Sequence, residues 1–279
     1  MTRAEQKKAL HTAVAAARAA GDLMTRNFHS IKKIDSATQH DIKLELDRLS
    51  QKTIEKKLQK HFPAIPILGE EGITGDPTAP ARWVVDPIDG TVNFTYGIPH
   101  ACVSIALQVS RTGSAKSKVE RVAKTGEAMY ETIVGVVYDP FCDELWTAVR
   151  GGPARLNNRV IRVSQRTKLD EAIVSIGFAK EVSTMEKMLP TFMELIRRVR
   201  KVRIMGSAAL SMVYVASGRM DAYLEYGLRL WDIAAGGLIL ECAGGDFSHQ
   251  PLPGEYTYQI MVNNGGLRPH LIPVYKGAT

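Results

Sequence analysis

Within six positions, Asp86-Pro87-Ile88-Asp89-Gly90-Thr91, the chain places two carboxylates, a glycine and a hydroxyl. The apolar run Trp83-Val84-Val85 ahead of them reads as a strand that delivers Asp86 to its end. Pro87 has no N–H and a fixed φ, which predicts a break in the ladder there. Strand ends are where open α/β sheets bind ligands. Two carboxylates this close repel unless a cation lies between them, and hard oxygen ligands suit Mg²⁺. Asp89-Gly90 alone would read as a hairpin turn. The second aspartate and the apolar strand favour a site.

Two more acidic segments fit the same chemistry. Ile65-Pro66-Ile67-Leu68-Gly69-Glu70-Glu71-Gly72 is a short apolar strand ending in carboxylates between glycines, which allow close backbone approach. Trp231-Asp232-Ile233-Ala234-Ala235-Gly236-Gly237 begins a helix with an aspartate in its first turn, where capping alone would explain it. A helix start also suits a phosphate, through its free N–H groups and positive potential. Paired cations held by such acids neutralise a phosphate monoester, lower the pKa of a bound water and stabilise the leaving alkoxide. Little acid–base machinery is then needed, and no histidine occurs in these motifs.

Asp86-Pro87-Ile88-Asp89-Gly90-Thr91 with Asn93, Gly69-Glu70-Glu71, and Trp231-Asp232-Ile233-Ala234-Ala235-Gly236 together resemble the inositol monophosphatase family. Its members are Mg²⁺-dependent, lithium-sensitive phosphatases of sugar and inositol phosphates. Weaker echoes reach Asn263-Asn264. The resemblance implies that Glu70, Asp86 and the Ile88 carbonyl hold a first Mg²⁺. Asp86, Asp89 and Asp232 would hold a second, with a weaker third ion near Glu70. Asp47 and Thr91 would orient the attacking water, with Glu70 beside them in the catalytic group. The Gly90 and Thr91 N–H groups would meet the phosphate, and Asp89, Ser207, Ala208, Glu225 and Asp232 would border the substrate.

The chain departs from the pattern at Asp41-Ile42-Lys43-Leu44-Glu45-Leu46-Asp47, where Leu44 stands in place of the family's threonine. Among the substrates that the resemblance implies, inositol monophosphate leads. Fructose 1,6-bisphosphate, with Arg229 near a second phosphate, histidinol phosphate and 3′-phosphoadenosine 5′-phosphate follow. A catalytically inactive scaffold is the reading from outside the enzyme class. A homodimer is implied by the family alone.

Leu10, Val14, Ala17, Gly21, Met24 and Phe28 recur at helical spacing. A second helix is predicted over 41–61, with Ile42, Leu46, Leu49, Ile54 and Leu58 inward. Strands are predicted at 83–86, 101–109, 132–138 and 145–149, with a hairpin at 139–143. A charged connection spans 110–131. Strands at 172–177, 202–204 and 222–225 alternate with helices at 184–200, 207–217 and from Asp232 to Gly244-Gly245. The pattern predicts a layered α/β fold, which the resemblance sharpens to a five-layered αβαβα sandwich. Lobes of about 1–150 and 151–279 are expected to form one functional unit, 1–279.

With 279 residues, 45% of them hydrophobic, the chain can bury a sizeable core. Its three cysteines, Cys102, Cys142 and Cys242, make no disulfide framework and are expected to be buried small hydrophobes. No run approaches the ~18–20 apolar residues of a membrane span. Lys7, Lys8, His11 and Arg18 interrupt what would be a signal sequence, so a cytoplasmic protein is expected. The formal charge of +7 raises nucleic acid as a partner. The basic clusters, Arg111–Lys124 and 197–203, lack the interleaved aromatics of such a surface, so no nucleic-acid role is expected. A solvated basic surface that attracts phosphorylated substrates is the reading adopted.

Overall fold

Ala9, Ala13, Ala16, Ala17, Ala20 and Gly21 form a buried small-residue stripe along α1 (Arg3–Asn27). A computed structural model of the chain describes residues 1–37, 42–111, 130–178 and 182–275. Helix α1 starts at a capping box, Thr2 with Glu5, and its stripe lets it lie close to its neighbours. The strands β1 (Ile34–Ala37) and β2 (Ile42–Leu44) pair antiparallel, and α2 (Glu45–His61) follows directly. The expected helix over 41–61 is therefore shorter, because its first residues are extended and pair with β1; Asp41 lies outside the described residues. Leu49 is exposed, contrary to expectation. The inward face of α2 is instead Asp47, Gln51, Ile54 and Leu58, a stripe that mixes polar and apolar residues.

The strands β3 (Ile67–Gly69), β4 (Gly72–Thr74) and β5 (Ala81–Asp89) come next, then the short helix α3 (Thr91–Thr95). They are followed by β6 (Cys102–Ser110), β7 (Tyr130–Asp139), β8 (Glu144–Val149), β9 (Arg155–Leu156) and β10 (Arg159–Val160). Among the described residues these strands form an eight-stranded sheet in the order β10-β9-β8-β7-β6-β5-β3-β4, in which only β3 and β5 run parallel. Strand β5 does not end at Pro87. Its pairing with β6 shifts between Asp86 and Asp89, a bulge that absorbs the missing proline N–H and lets the strand reach Asp89. The hairpin at 139–143 forms as expected. Most of the charged 110–131 connection, 112–129, lies outside the described residues.

The second half holds β11 (Ile173–Ile176), α4 (Val182–Arg198), β12 (Lys201–Arg203), α5 (Ala208–Ala216) and β13 (Ala222–Arg229). It closes with α6 (Leu230–Cys242), β14 (Asp246–Pro251), β15 (Thr257–Asn263) and α7 (Arg268–Leu271). Its five-stranded sheet runs β12-β11-β13-β15-β14. The β14–β15 hairpin was not anticipated, and β13 runs past the expected end at Glu225.

Among the described residues, three apolar cores define the layers. Helices α1 and α2 cover one face of the large sheet over Trp83, Val85 and Ile105. Helices α5 and α6 lie between the sheets, against Val84, Val137 and Trp146 on one side and Tyr223, Ile260 and Val262 on the other. Helices α4 and α7 cover the far face of the small sheet over Val174, Leu224 and Met261. The result is the expected αβαβα sandwich. Side chains alternate along β5, so Asp86 shares the face of Val84, toward α6. Of the cysteines, Cys102 is buried, Cys242 is half-buried and Cys142 is exposed in the 139–143 turn, which corrects the expectation of three buried thiols. No helix among the described residues is long and apolar enough to cross a membrane.

Candidate active site

Asp86 is 1% exposed, and its Oδ1 accepts a 3.0 Å bond from the Ile88 N–H across the bulge. Burial pushes its carboxyl well above the usual range, and the charges of Glu70, Asp89, Asp232 and Asp47 add to the rise. The charges of acids from four separate segments therefore meet at Asp86. Among the described residues, no lysine, arginine or histidine forms an ion pair with Asp86 or Asp89.

Glu70 stands in the turn between β3 and β4, and α2 fixes that turn. Gln51 Oε1 accepts from the Glu71 N–H at 2.9 Å, and its Nε2 donates to the Gly72 carbonyl at 3.1 Å. A Cβ on Gly69 would lie 2.3 Å from Gln51 Oε1, so a larger residue there would push the Gln51 amide out of this clamp. The sequence reading missed Gln51; a polar residue on the helix face set by Ile54 and Leu58 was the available signal. Gln51→Ala is expected to lower stability by about 1–3 kcal/mol and to weaken Mg²⁺ binding by loosening Glu70. Urea unfolding and Mg²⁺ titration check the two effects. Unchanged Mg²⁺ affinity would show that Glu70 holds its place without the clamp.

Asp89 meets the start of α5, far along the chain. Its Oδ2 accepts from Ser207 Oγ at 2.6 Å and the Ala209 N–H at 2.7 Å, and its Oδ1 accepts from the Ala208 N–H at 3.2 Å. Burial raises its carboxyl, and these three donors oppose the rise. Ser207 and Ala208, expected to border the substrate, thus hold Asp89 directly. Oδ2 thus has both lone pairs engaged, whereas Oδ1, with one donor, keeps a second for another ligand. Gly90 follows at φ +97°, and a Cβ there would lie 2.9 Å from the His100 carbonyl, so only glycine fits. Asn93 Nδ2 donates to the carbonyls of His100 (2.9 Å) and Met205 (2.8 Å), tying α3 to the segment before α5.

The remaining predicted residues are locally engaged. Asp47 is buried, and its Oδ2 accepts from the Leu44 N–H at 2.7 Å. Asp232 does the same for the Arg229 N–H, also at 2.7 Å. Both acids sit third in their helices and receive the N–H of the capping residue, so Asp232 is not itself the N-cap. Leu44 occupies the cap of α2, so the substitution removes a capping hydroxyl and leaves the carboxylate half of the motif. Thr91 Oγ1 donates to the Ile88 carbonyl at 2.9 Å, the carbonyl expected to face a metal. Glu225 is buried and accepts from the Tyr223 hydroxyl, a partner that the sequence did not reveal. Arg229 Nη1 donates to the Glu255 carbonyl and Thr257 Oγ1, each at 2.7 Å, so its guanidinium is fastened to the rim.

A cavity of about 860 Å³ joins these residues: Glu70, Asp86, Ile88, Asp89, Gly90, Thr91, Ser207, Ala208, Glu225 and Asp232 all line it. A smaller one of about 450 Å³, beside Phe192 and Arg200, contains no carboxylate and lies away from this chemistry. The sequence matches the Inositol monophosphatase family over residues 5–115 and 128–262. The chain belongs to that family.

It is 39% identical to Nus factor SuhB of Pseudomonas aeruginosa, covering 96% of this chain and 98% of that protein. To the inositol-1-monophosphatase of Rhizobium meliloti it is 37% identical, over 85% of this chain and 83% of the relative. An inositol monophosphatase structure from Anabaena superposes with a TM-score of 0.79 at 31% identity, covering 96% of this chain and 95% of that one. Members of this family are generally Mg²⁺-dependent, and the donor set here fits Mg²⁺: every candidate ligand is an oxygen, and among the described residues Asp86 has no ion pair with a cationic side chain. Among the described residues, no three acidic, imidazole or thiol groups converge into a ready ligand shell. Like charges keep such spacing unless a cation lies between them.

Proposed function

We propose that this chain hydrolyses phosphate monoesters of small sugars or polyols, inositol monophosphate foremost, with Mg²⁺ as cofactor. The observation that supports it is the buried Asp86 carboxylate, which feels the charges of Glu70, Asp89, Asp232 and Asp47 and shares with the first three a cavity large enough for a phosphorylated sugar. In this reading Glu70, Asp86 and the Ile88 carbonyl would hold one ion, and Asp86, Asp89 and Asp232 would hold another. The bound ions would neutralise the ester's charge and acidify a water.

The chain's own groups do the rest. The Gly90 and Thr91 N–H groups orient the phosphate, and Asp47 with Thr91 positions the attacking water and takes up its proton. Glu225 borders the leaving polyol, and Ser207 and Ala208 hold Asp89 in place beside it. The two halves work as one unit over 1–279. A homodimer and a cytoplasmic location are carried over from the family and from the sequence.

The Pseudomonas relative is named a Nus factor, so a scaffold role without catalysis is the competing reading. The complete acid set supports catalysis, because a scaffold has no use for buried, mutually repelling carboxylates. The test is Mg²⁺-dependent phosphate release from myo-inositol 1-phosphate, fructose 1,6-bisphosphate, histidinol phosphate and 3′-phosphoadenosine 5′-phosphate. Asp232→Asn is the control, since an amide oxygen can still accept the Arg229 N–H. Turnover is expected to be inhibited by millimolar Li⁺ and to fall about 10²-fold or more in the variant. No release from any ester, with no Mg²⁺ binding by calorimetry, would overturn the proposal in favour of a scaffold.

A further inference from the structure

Lys187 and Arg229 are the two basic residues on the wall of the acidic cavity among the described residues. Arg229 is held by the Glu255 carbonyl and Thr257, so its guanidinium is committed to the rim. Lys187, on α4, is exposed and forms no ion pair with a carboxylate among the described residues, although acids line much of the cavity. Its Nζ donates to the Tyr226 hydroxyl at 2.7 Å and lies 4.3 Å from the centre of that ring. The aromatic face fixes the ammonium without neutralising it, and two of its three donors remain for a ligand.

Position gives this cation a role. Asp86 and Asp89 lie at the strand end of the large sheet, whereas Lys187 and Tyr226 belong to the second half, next to Glu225. With the phosphate held at the aspartates, the wall carrying Lys187 faces the alcohol that leaves. At about 860 Å³, the cavity has room for more than a phosphate and a short polyol.

We propose that Lys187, braced by Tyr226, selects phosphate monoesters whose leaving alcohol carries a second anionic group, a carboxylate or another phosphate. This rests on the phosphatase reading above and replaces Arg229 as the cation for a bisphosphate.

Calorimetric titration in Mg²⁺ with two matched pairs tests it: 6-phosphogluconate against sorbitol 6-phosphate, and fructose 1,6-bisphosphate against fructose 6-phosphate. The wild type is expected to bind the doubly anionic member of at least one pair more tightly. Lys187→Gln should cut that preference about tenfold, as loss of a charge-assisted contact does, and Lys187→Arg should retain most of it. The responding pair tells carboxylate from phosphate. Equal affinities within both pairs, or a preference unchanged in Lys187→Gln, would overturn the assignment. Phosphate release by the wild type is followed in parallel. Binding without release from any of the four esters counts against the phosphatase reading, while the affinities alone decide the role of Lys187.

Discussion

Asp86→Asn is expected to abolish Mg²⁺-dependent turnover and, in the same protein, to raise the melting temperature measured without metal. The two effects have one cause. In the metal-free fold, Asp86 is a buried carboxyl that feels the charges of Glu70, Asp89, Asp232 and Asp47, and its ionised form is the unfavourable one. An asparagine of nearly the same shape keeps an oxygen to accept the Ile88 N–H and removes that charge. Every kcal/mol gained should appear as about 2–4 °C for a chain of this size. With saturating Mg²⁺ the order reverses, because ligand binding stabilises only the protein that can bind it.

The pH dependence follows from the same carboxyl. Its proton is held more tightly in the fold than in the unfolded chain, so its contribution is full at acid pH, below the ordinary carboxylate range. That contribution is lost as the pH rises through the raised value. Metal-free wild type should therefore lose more melting temperature than Asp86→Asn as the pH rises above the ordinary carboxylate range, compared at about pH 5 and about pH 8. Thermal scans in EDTA and in Mg²⁺ at both pH values measure this. A variant that melts lower than wild type without metal, or that Mg²⁺ still stabilises, would refute the account.

What could be read in the sequence follows how locally each feature is encoded. Asp86, Asp89, Gly90 and Thr91 are neighbours in the chain, so one strand end and one turn announce them. The layers were legible because helical and strand periodicities alternate, and the family resemblance supplied their stacking. Contacts between distant segments were not legible. Ser207 reaches Asp89 across 118 residues, and no local pattern distinguishes a helix start that meets a substrate from one that holds an acid. Gln51 was hidden for a similar reason: its amide is polar on an inward face, and its partner is a turn twenty residues on. Arg229 suggested a phosphate contact by its nearness to Asp232, but the unanticipated turn ahead of β15 brought Glu255 and Thr257 to it instead. The early start drawn for α2 failed where short-range signals conflict. Residues 42–44 suit a helix by composition, yet their backbone bonds go to β1.

Leu44 makes Asp47 the sharpest test of the water-activating half of the site. Asp47→Asn is expected to lower kcat about 10²-fold or more while leaving KM within about twofold. The fold should survive, because the amide oxygen can still accept the Leu44 N–H and Asp47 sits in the first turn of an intact helix. What disappears is the negative charge that orients a water and receives its proton. That interaction grows toward the transition state, so kcat responds and substrate affinity does not. Leu44 itself is buried in the core beneath α1 and α2, where its side chain replaces a hydroxyl's capping bond with apolar contact. The helix thus keeps its start without the hydroxyl, and Asp47 alone retains the reciprocal bond. If the variant instead turns over at a near-wild-type rate but melts lower, Asp47 serves the start of α2 alone. Water activation must then lie with Glu70 and Thr91.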